Sequence, residues 1–425
     1  MLFGANAAGK TSVLDALAVV LSALVARSGQ AKGRGFAKNK SDIRIPWQSG
    51  AHENPGAQRP YVRIQATGPG GLKWDKFQLR SPSDLREVPS PRAGLKALHA
   101  WLDPLLQGAL NDPHGEVAAP VPLVASYGNE RAVVAMPQRK RAFQRTFSRL
   151  TALDDALNPM PRFKSVFEWF IFKEDEERRE RERRRNWDYR LPELDWVRRA
   201  IKAAELRCSN PRIELKPLRM LVDFEHKNGE YQALDLRALS DGFRTHFSLV
   251  VDLARRMVQL NPSTDLDDPN RGTNSPAVVL IDEVDLHLDP HWQGRVVQGL
   301  LNAFPKAQFV LSTHSEQVIA SVNAEQVRKL AWSDGEIIVE RVPFAQGSTG
   351  ERILVDLMDA PIRVDGPVKK TLDKYLLLVS SGHGQAEEAL ELRGELDRLI
   401  PGDSALHCVD LELQRDELLK RLNQP

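Results

Sequence analysis

Two segments about 270 residues apart constrain this chain more than anything else in it, because few folds bring such a pair together. Gly4-Ala5-Asn6-Ala7-Ala8-Gly9-Lys10-Thr11 fits G-x-x-x-x-G-K-[ST] and leads through Ser12 into an apolar helical stretch. In that pattern the glycines let backbone N–H groups turn onto phosphate, and the following helix dipole adds to the attraction. Gly4 to Ser12 are therefore the candidate nucleotide contacts, with Lys10 reaching the β- and γ-phosphates and the Thr11 hydroxyl on Mg²⁺. The second segment, Ala277-Val278-Val279-Leu280-Ile281-Asp282-Glu283, is an apolar strand ending in two carboxylates. Asp282 is expected to hold the Mg²⁺ through water, and Glu283 to orient and deprotonate an attacking water. Together the segments imply ATP or GTP bound with Mg²⁺, and hydrolysis.

Asn39-Lys40-Ser41-Asp42 spells the guanine-reading N-K-x-D, but it precedes the metal-binding strand by some 240 residues, where a guanine reader follows it. It is a coincidence of spelling, and ATP is the expected nucleotide.

At 425 residues the chain can bury one large or two modest cores. A net charge of +2 imposes no nucleic-acid or membrane partner. Two distant cysteines, Cys208 and Cys408, make neither a disulfide framework nor a zinc site, and a reducing cytoplasm fits them best. Val13 to Ala26 has the look of a signal-peptide core, but Asp15 interrupts it, it is too short to span a bilayer, and a phosphate loop must open into a helix. Lys10 to about Arg27 is expected to be that helix. Only Met1-Leu2-Phe3 precede Gly4, at most the end of the strand such a loop follows, so a shortened chain or a late start is expected.

Residues 28–60 are a loop by composition, and Tyr61–Ala66 with Leu72–Leu79 form an antiparallel hairpin around Thr67–Gly71. Gly94–Leu110 is expected to be helical and Val121–Tyr127 a strand. Residues 140–207 are mostly helical, with seven acids and eight bases between Lys173 and Arg190. Glu174–Arg178, Asp175–Arg179, Glu177–Arg181 and Glu180–Arg184 are acid-then-base pairs one helical turn apart, which makes a solvated helix the expected reading. Pro137–Arg141 with Arg145 is a weak basic patch, and Asn261–Pro276 a disordered or surface loop. Ala277–Ile281 and Gln308–Ser312 have the continuous apolar character of buried parallel strands, and Leu396–Leu422 is helical. The implied division is a head over 1–345, containing the hairpin lobe near 60–80, the helical insertion near 140–207 and a lobe at 235–345, followed by a helical extension over 346–425.

Three further motifs carry a resemblance. Leu239-Ser240-Asp241-Gly242-Phe243-Arg244 before an amphipathic helix (Thr245–Met257) matches the L-S-x-G signature of ATP-binding-cassette heads. Asp289 in Leu286-His287-Leu288-Asp289-Pro290 matches their D-loop, and His314 in Ser312-Thr313-His314-Ser315 their switch histidine. His287 is either structural or adjacent to the site. The order resembles the SMC/RecF-like branch of these ATPases, and within it bacterial ATP-binding proteins related to the ATPase subunits of Septu and retron anti-phage systems. Leu260-Asn261-Pro262, Phe304–Phe309 and Tyr127-Gly128-Asn129-Glu130-Arg131 add to the likeness.

The resemblance implies an α/β P-loop NTPase head of ABC/SMC type, a mixed sheet with helices and a helical insertion, its N-terminal strands missing here. It implies an ATP-dependent homodimer in which Leu239, Ser240, Asp241 and Gly242 cap the phosphate held by the other subunit. It further implies Asp289 crossing to the partner, His314 near the γ-phosphate as a catalytic group beside Glu283, and output through DNA or a partner nuclease or other effector. The family has Gly where this chain has Ala7, and no residue is assigned as the Q-loop glutamine, Arg131 and Asn129 being the candidates near the nucleotide. A long insertion and Glu-Val-Asp after the strand argue against a membrane transporter. The alternatives are a DNA nuclease of the overcoming-lysogenisation type and a non-hydrolysing scaffold.

Overall fold

The computed structural model describes residues 1–29, 33–45, 57–117, 119–132, 147–159, 163–226, 228–333 and 336–422. The basic patch at 137–141 and 145 lies outside them. The chain divides into two units, Met1–Ile353 and Leu354–Pro425.

In the first unit, three parallel strands run in the order β4 (Leu123–Tyr127), β8 (Ala277–Ile281) and β9 (Ala307–Leu311). β8 is almost wholly apolar because both of its faces are covered, as in parallel sheets flanked by helices. A bridge from Leu2 to Ser312, with the Thr313 amide donating to the Leu2 carbonyl at 3.1 Å, joins this sheet to a second one. The second has β1 (Leu2–Gly4) parallel to β10 (Arg328–Ser333), and β11 (Glu336–Arg341) antiparallel at its edge. The strand ending in the phosphate loop thus lies between β9 and β10, one strand removed from the strand that ends in the carboxylates.

α1 (Lys10–Arg27) opens from Gly9, whose φ of 84° is left-handed and suits a residue without a side chain. Its buried Val20 and Ala23 pack with Trp74 and Leu98. Trp74 belongs to the hairpin β2 (Tyr61–Thr67) and β3 (Lys73–Leu79), and Leu98 to α2 (Lys96–Asn111). The Trp74 indole N–H donates to the Val20 carbonyl at 3.0 Å, which pins the hairpin to the helix.

α3 (Phe163–Arg184) buries Val166, Phe167, Trp169 and Phe170 in its first half and carries most of its charges in the second. Three of the four expected ion pairs form, Asp175–Arg179, Glu177–Arg181 and Glu180–Arg184. Glu174 departs from expectation: its carboxylate accepts the Ile213 amide at 3.1 Å instead. Burial there raises its pKa to about 7. So this face is not all solvated, because it meets β5 (Cys208–Leu215) of the antiparallel sheet completed by β6 (Leu218–Glu225) and β7 (Tyr231–Asp235).

α5 (Asp241–Leu260) packs against β4 of the parallel sheet, and α4 (Pro192–Ala203) packs on α5. α5 is buried almost throughout, so its charged residues must find partners inside. Asp252 receives Arg255 and Arg256, each at 2.8 Å, and the Tyr127 hydroxyl at 3.0 Å. These cations hold the Asp252 carboxyl well below the usual carboxylate range. The segment 261–276 is a surface loop in its middle, exposed at 264–265 and 269–270, but its ends are buried: Asn261 is fully buried and exchanges two 2.8 Å hydrogen bonds with the backbone of Val121. The polar side chain of Asn261 serves these buried bonds, while those of the middle of the loop face solvent. After β8 come the short α6 (Pro290–Gln293), α7 (Val296–Ala303) and α8 (Glu316–Ala320).

The second unit contains three helices, Pro367–Ser380, Glu387–Leu399 and Ser404–Leu422. They enclose a small core of Leu372, Tyr375, Ala389, Leu396, Leu406 and Val409.

Candidate nucleotide site

The two distant segments meet. The Thr11 hydroxyl donates to Asp282 Oδ2 at 2.8 Å across 271 positions of sequence. The two groups expected to share a magnesium ion therefore touch. The Lys10 ammonium folds back onto the Gly4 and Ala5 carbonyls, at 2.9 and 3.0 Å. Burial lowers its pKa, while Asp282, Glu283 and Asp285 oppose that shift. Gly4 is obligatory, because a Cβ there would stand 2.2 Å from the Leu330 carbonyl oxygen on β10. Ala7 has φ of 63°, the left-handed conformation for which Gly is the favoured residue. Among the described residues no cluster of three or more His, Cys, Asp or Glu could hold an ion. One carboxylate and one hydroxyl suit magnesium, which keeps several waters and takes its other ligands from phosphate.

Glu283 has φ of 48°, unusual for any residue but Gly. Such strain persists where neighbours over-determine it, and here they do. Arg131, only 5% exposed, donates from Nη1 and Nη2 to the Asp282 and Glu283 carbonyls. Burial brings the Arg131 guanidinium down to a pKa of about 10. The Ser312 hydroxyl accepts the Glu283 amide at 2.8 Å and donates to Asp282 Oδ1. Arg131 therefore braces the backbone of the carboxylate pair. Asn129 lines a small cavity of about 160 Å³ with Thr11 and Asp282. Sequence reasoning missed the Ser312 bridge. Its only signal was the place of Ser312 at the end of β9.

His314 is half-buried directly after Thr313, whose hydroxyl donates to Asp285 at 2.5 Å. Asp289 caps α6, accepting the His291 amide at 3.0 Å, and is exposed. Ser240 and Asp241 are exposed at the start of α5, whereas Leu239 and Gly242 are buried. A Cβ on Gly242 would lie 2.1 Å from the His287 carbonyl oxygen. His287 itself is exposed with φ of 61°, so its backbone is what bears on the signature helix. Phe243 stacks edge-on against Trp292 at 5.0 Å between ring centres, reinforcing that junction. Asn39 and Asp42 of the guanine-reader look-alike close local turns, with the Asn39 carbonyl accepting the Ser41 amide at 3.2 Å and Asp42 the Ala37 amide at 2.6 Å.

Residues 141–320 match a family model described as "AAA domain, putative AbiEii toxin, Type IV TA system". The Retron Vc95 probable ATPase of Vibrio cholerae serotype O1 biovar El Tor is 35% identical over 170 residues, which are 39% of this chain and 32% of that protein. The Septu protein PtuA of Bacillus mycoides is 29% identical over 166 residues, 39% of this chain and 22% of PtuA. This chain thus spans about a third or less of the curated relatives it matches. The solved SMC head domain from Thermotoga maritima aligns over 80% of this chain and 89% of that one, at 13% identity and a TM-score of 0.35. Among the described residues no helix is long and apolar enough to cross a membrane.

Proposed function

We propose that this chain, an SMC/ABC-like ATPase related to the retron ATPases and Septu PtuA, binds ATP with Mg²⁺ at Gly4–Ser12, hydrolyses it, and dimerises as it does so. The observation that carries the reading is the 2.8 Å contact between Thr11 and Asp282. Lys10 would leave the loop carbonyls for the β- and γ-phosphates, and Thr11 with Asp282 would hold the magnesium that neutralises them. Glu283 accepts the proton of the attacking water, and His314 contacts the γ-phosphate. Positioning and charge are most of what phosphoryl transfer asks of a protein.

The exposed Ser240 and Asp241 at a helix N-terminus, and the exposed Asp289, support a sandwich in which each signature meets the other subunit's nucleotide. Opening and closing of that sandwich would signal to DNA or to a partner effector, in anti-phage defence or DNA maintenance. Two free cysteines, Cys208 buried and Cys408 exposed, support a cytoplasmic location. The division into a head, 1–345, and a helical extension, 346–425, belongs to the same proposal.

The test is Glu283→Gln. Hydrolysis should fall about 10²–10⁴-fold, the span of general-base catalysis, while ATP binding persists. Light scattering should then show an ATP-dependent dimer. A monomer at saturating ATP sinks the sandwich, and absence of ATP binding by the wild type leaves a scaffold.

A further inference from the structure

Nothing in the phosphate loop receives the base of a nucleotide. Beside the loop stands the hairpin of β10 and β11, in which Trp332 and Ile337 are cross-strand partners on one face. Both bear on the loop. The Trp332 indole N–H donates to the Ala7 carbonyl at 3.1 Å. The Ile337 Cδ1 lies over Gly9, 2.5 Å from where a Cβ would stand. Yet Trp332 is 58% exposed and Ile337 40%. An indole fixed by its N–H edge to the rim of the loop, more than half exposed and with an aliphatic side chain beside it, has the form of a stacking platform.

We infer that Trp332, flanked by Ile337, stacks the purine base of the nucleoside triphosphate whose phosphates occupy the loop, an inference that rests on the nucleotide reading above. The platform offers a π-face and apolar area, so it accepts adenine and guanine alike, and any preference for ATP comes from elsewhere. It also explains an aromatic residue left exposed on an edge hairpin, where its own hydrogen bond holds it ready.

Calorimetric titration of the full chain with Mg²⁺–ATP and with Mg²⁺–tripolyphosphate, which has no base, separates the possibilities. Trp332→Ala should weaken ATP about tenfold or more, the usual worth of base–aromatic stacking, and leave tripolyphosphate unchanged. Trp332→Phe keeps a π-face and loses the N–H, and should bind ATP within a few-fold of wild type. Equal ATP affinity in wild type and Trp332→Ala overturns the inference. So does a loss shared by ATP and tripolyphosphate, or by Phe and Ala alike, because the indole then only braces the loop. If wild type binds neither ligand, the nucleotide reading itself has failed.

Discussion

Ala7 and Glu283 show how individual residues at this site are held in conformations they do not favour, with φ of 63° and 48°. The two cases differ in kind. Ala7 gains nothing from its methyl group, and a left-handed L-residue costs about 1–2 kcal/mol. Ala7→Gly should therefore raise stability by about 1 kcal/mol after the entropy of a freer unfolded chain is set against it. A thermal midpoint that stays put or falls would show that the loop does not feel the strain. Glu283, by contrast, is held by Arg131 on its carbonyl and Ser312 on its amide. Arg131→Met should free the carboxylate pair, lowering turnover about tenfold or more with little change in ATP affinity. Turnover kinetics beside nucleotide titration check this, and equal losses in both would mean that Arg131 touches the nucleotide after all.

Among the elements, the junction of α5 with the segment after β8 has the tightest tolerance. Gly242 is buried against the His287 carbonyl, and any side chain there displaces backbone and not a flexible side-chain end. Gly242→Ala should cost about 1–3 kcal/mol, the range for overpacking, and should weaken the proposed ATP-dependent dimer by shifting Asp289 relative to Ser240. Chemical denaturation together with light scattering reads both effects, and unchanged stability would mean that the junction yields freely. The signature glycine thus has a duty within its own chain as well as the one proposed across the dimer.

For the whole molecule, a buried histidine and a half-buried glutamate pull the pH dependence of stability in opposite directions. Burial, with Arg131 nearby, lowers the His246 pKa from 6.5 to about 4. Between those values the unfolded chain takes up a proton that the folded chain refuses, so stability falls as pH drops through that window. Burial raises the Glu174 pKa from 4.5 to about 7, so there the folded chain keeps a proton that the unfolded chain releases, and stability falls as pH rises. The two oppose each other over the shared window. Relative to wild type, His246→Gln should become less stable toward neutral pH, and Glu174→Gln more stable. Denaturation midpoints from pH 4.5 to 7 check this, and parallel curves for all three proteins would refute it.

Local pattern alone sufficed for the phosphate loop, its helix, the apolar strand before Asp282-Glu283, the β2–β3 hairpin and the order of the motifs. Each is written in contiguous residues whose spacing matches a backbone period or a fixed loop. Composition misled at Asn261, whose side chain satisfies buried backbone, and at Glu174, where a favourable helical pair yields to an amide of a different element. Which residues brace the carboxylates, which backbone crowds Gly242 and which aromatic ring leans on the loop depended on strand order. β8 pairs with β9, which sets Ser312 against Asp282, and β1 pairs with β10, which sets Trp332 against Ala7. Contacts across tens to hundreds of positions leave no local period to read, so only the packed chain decides them.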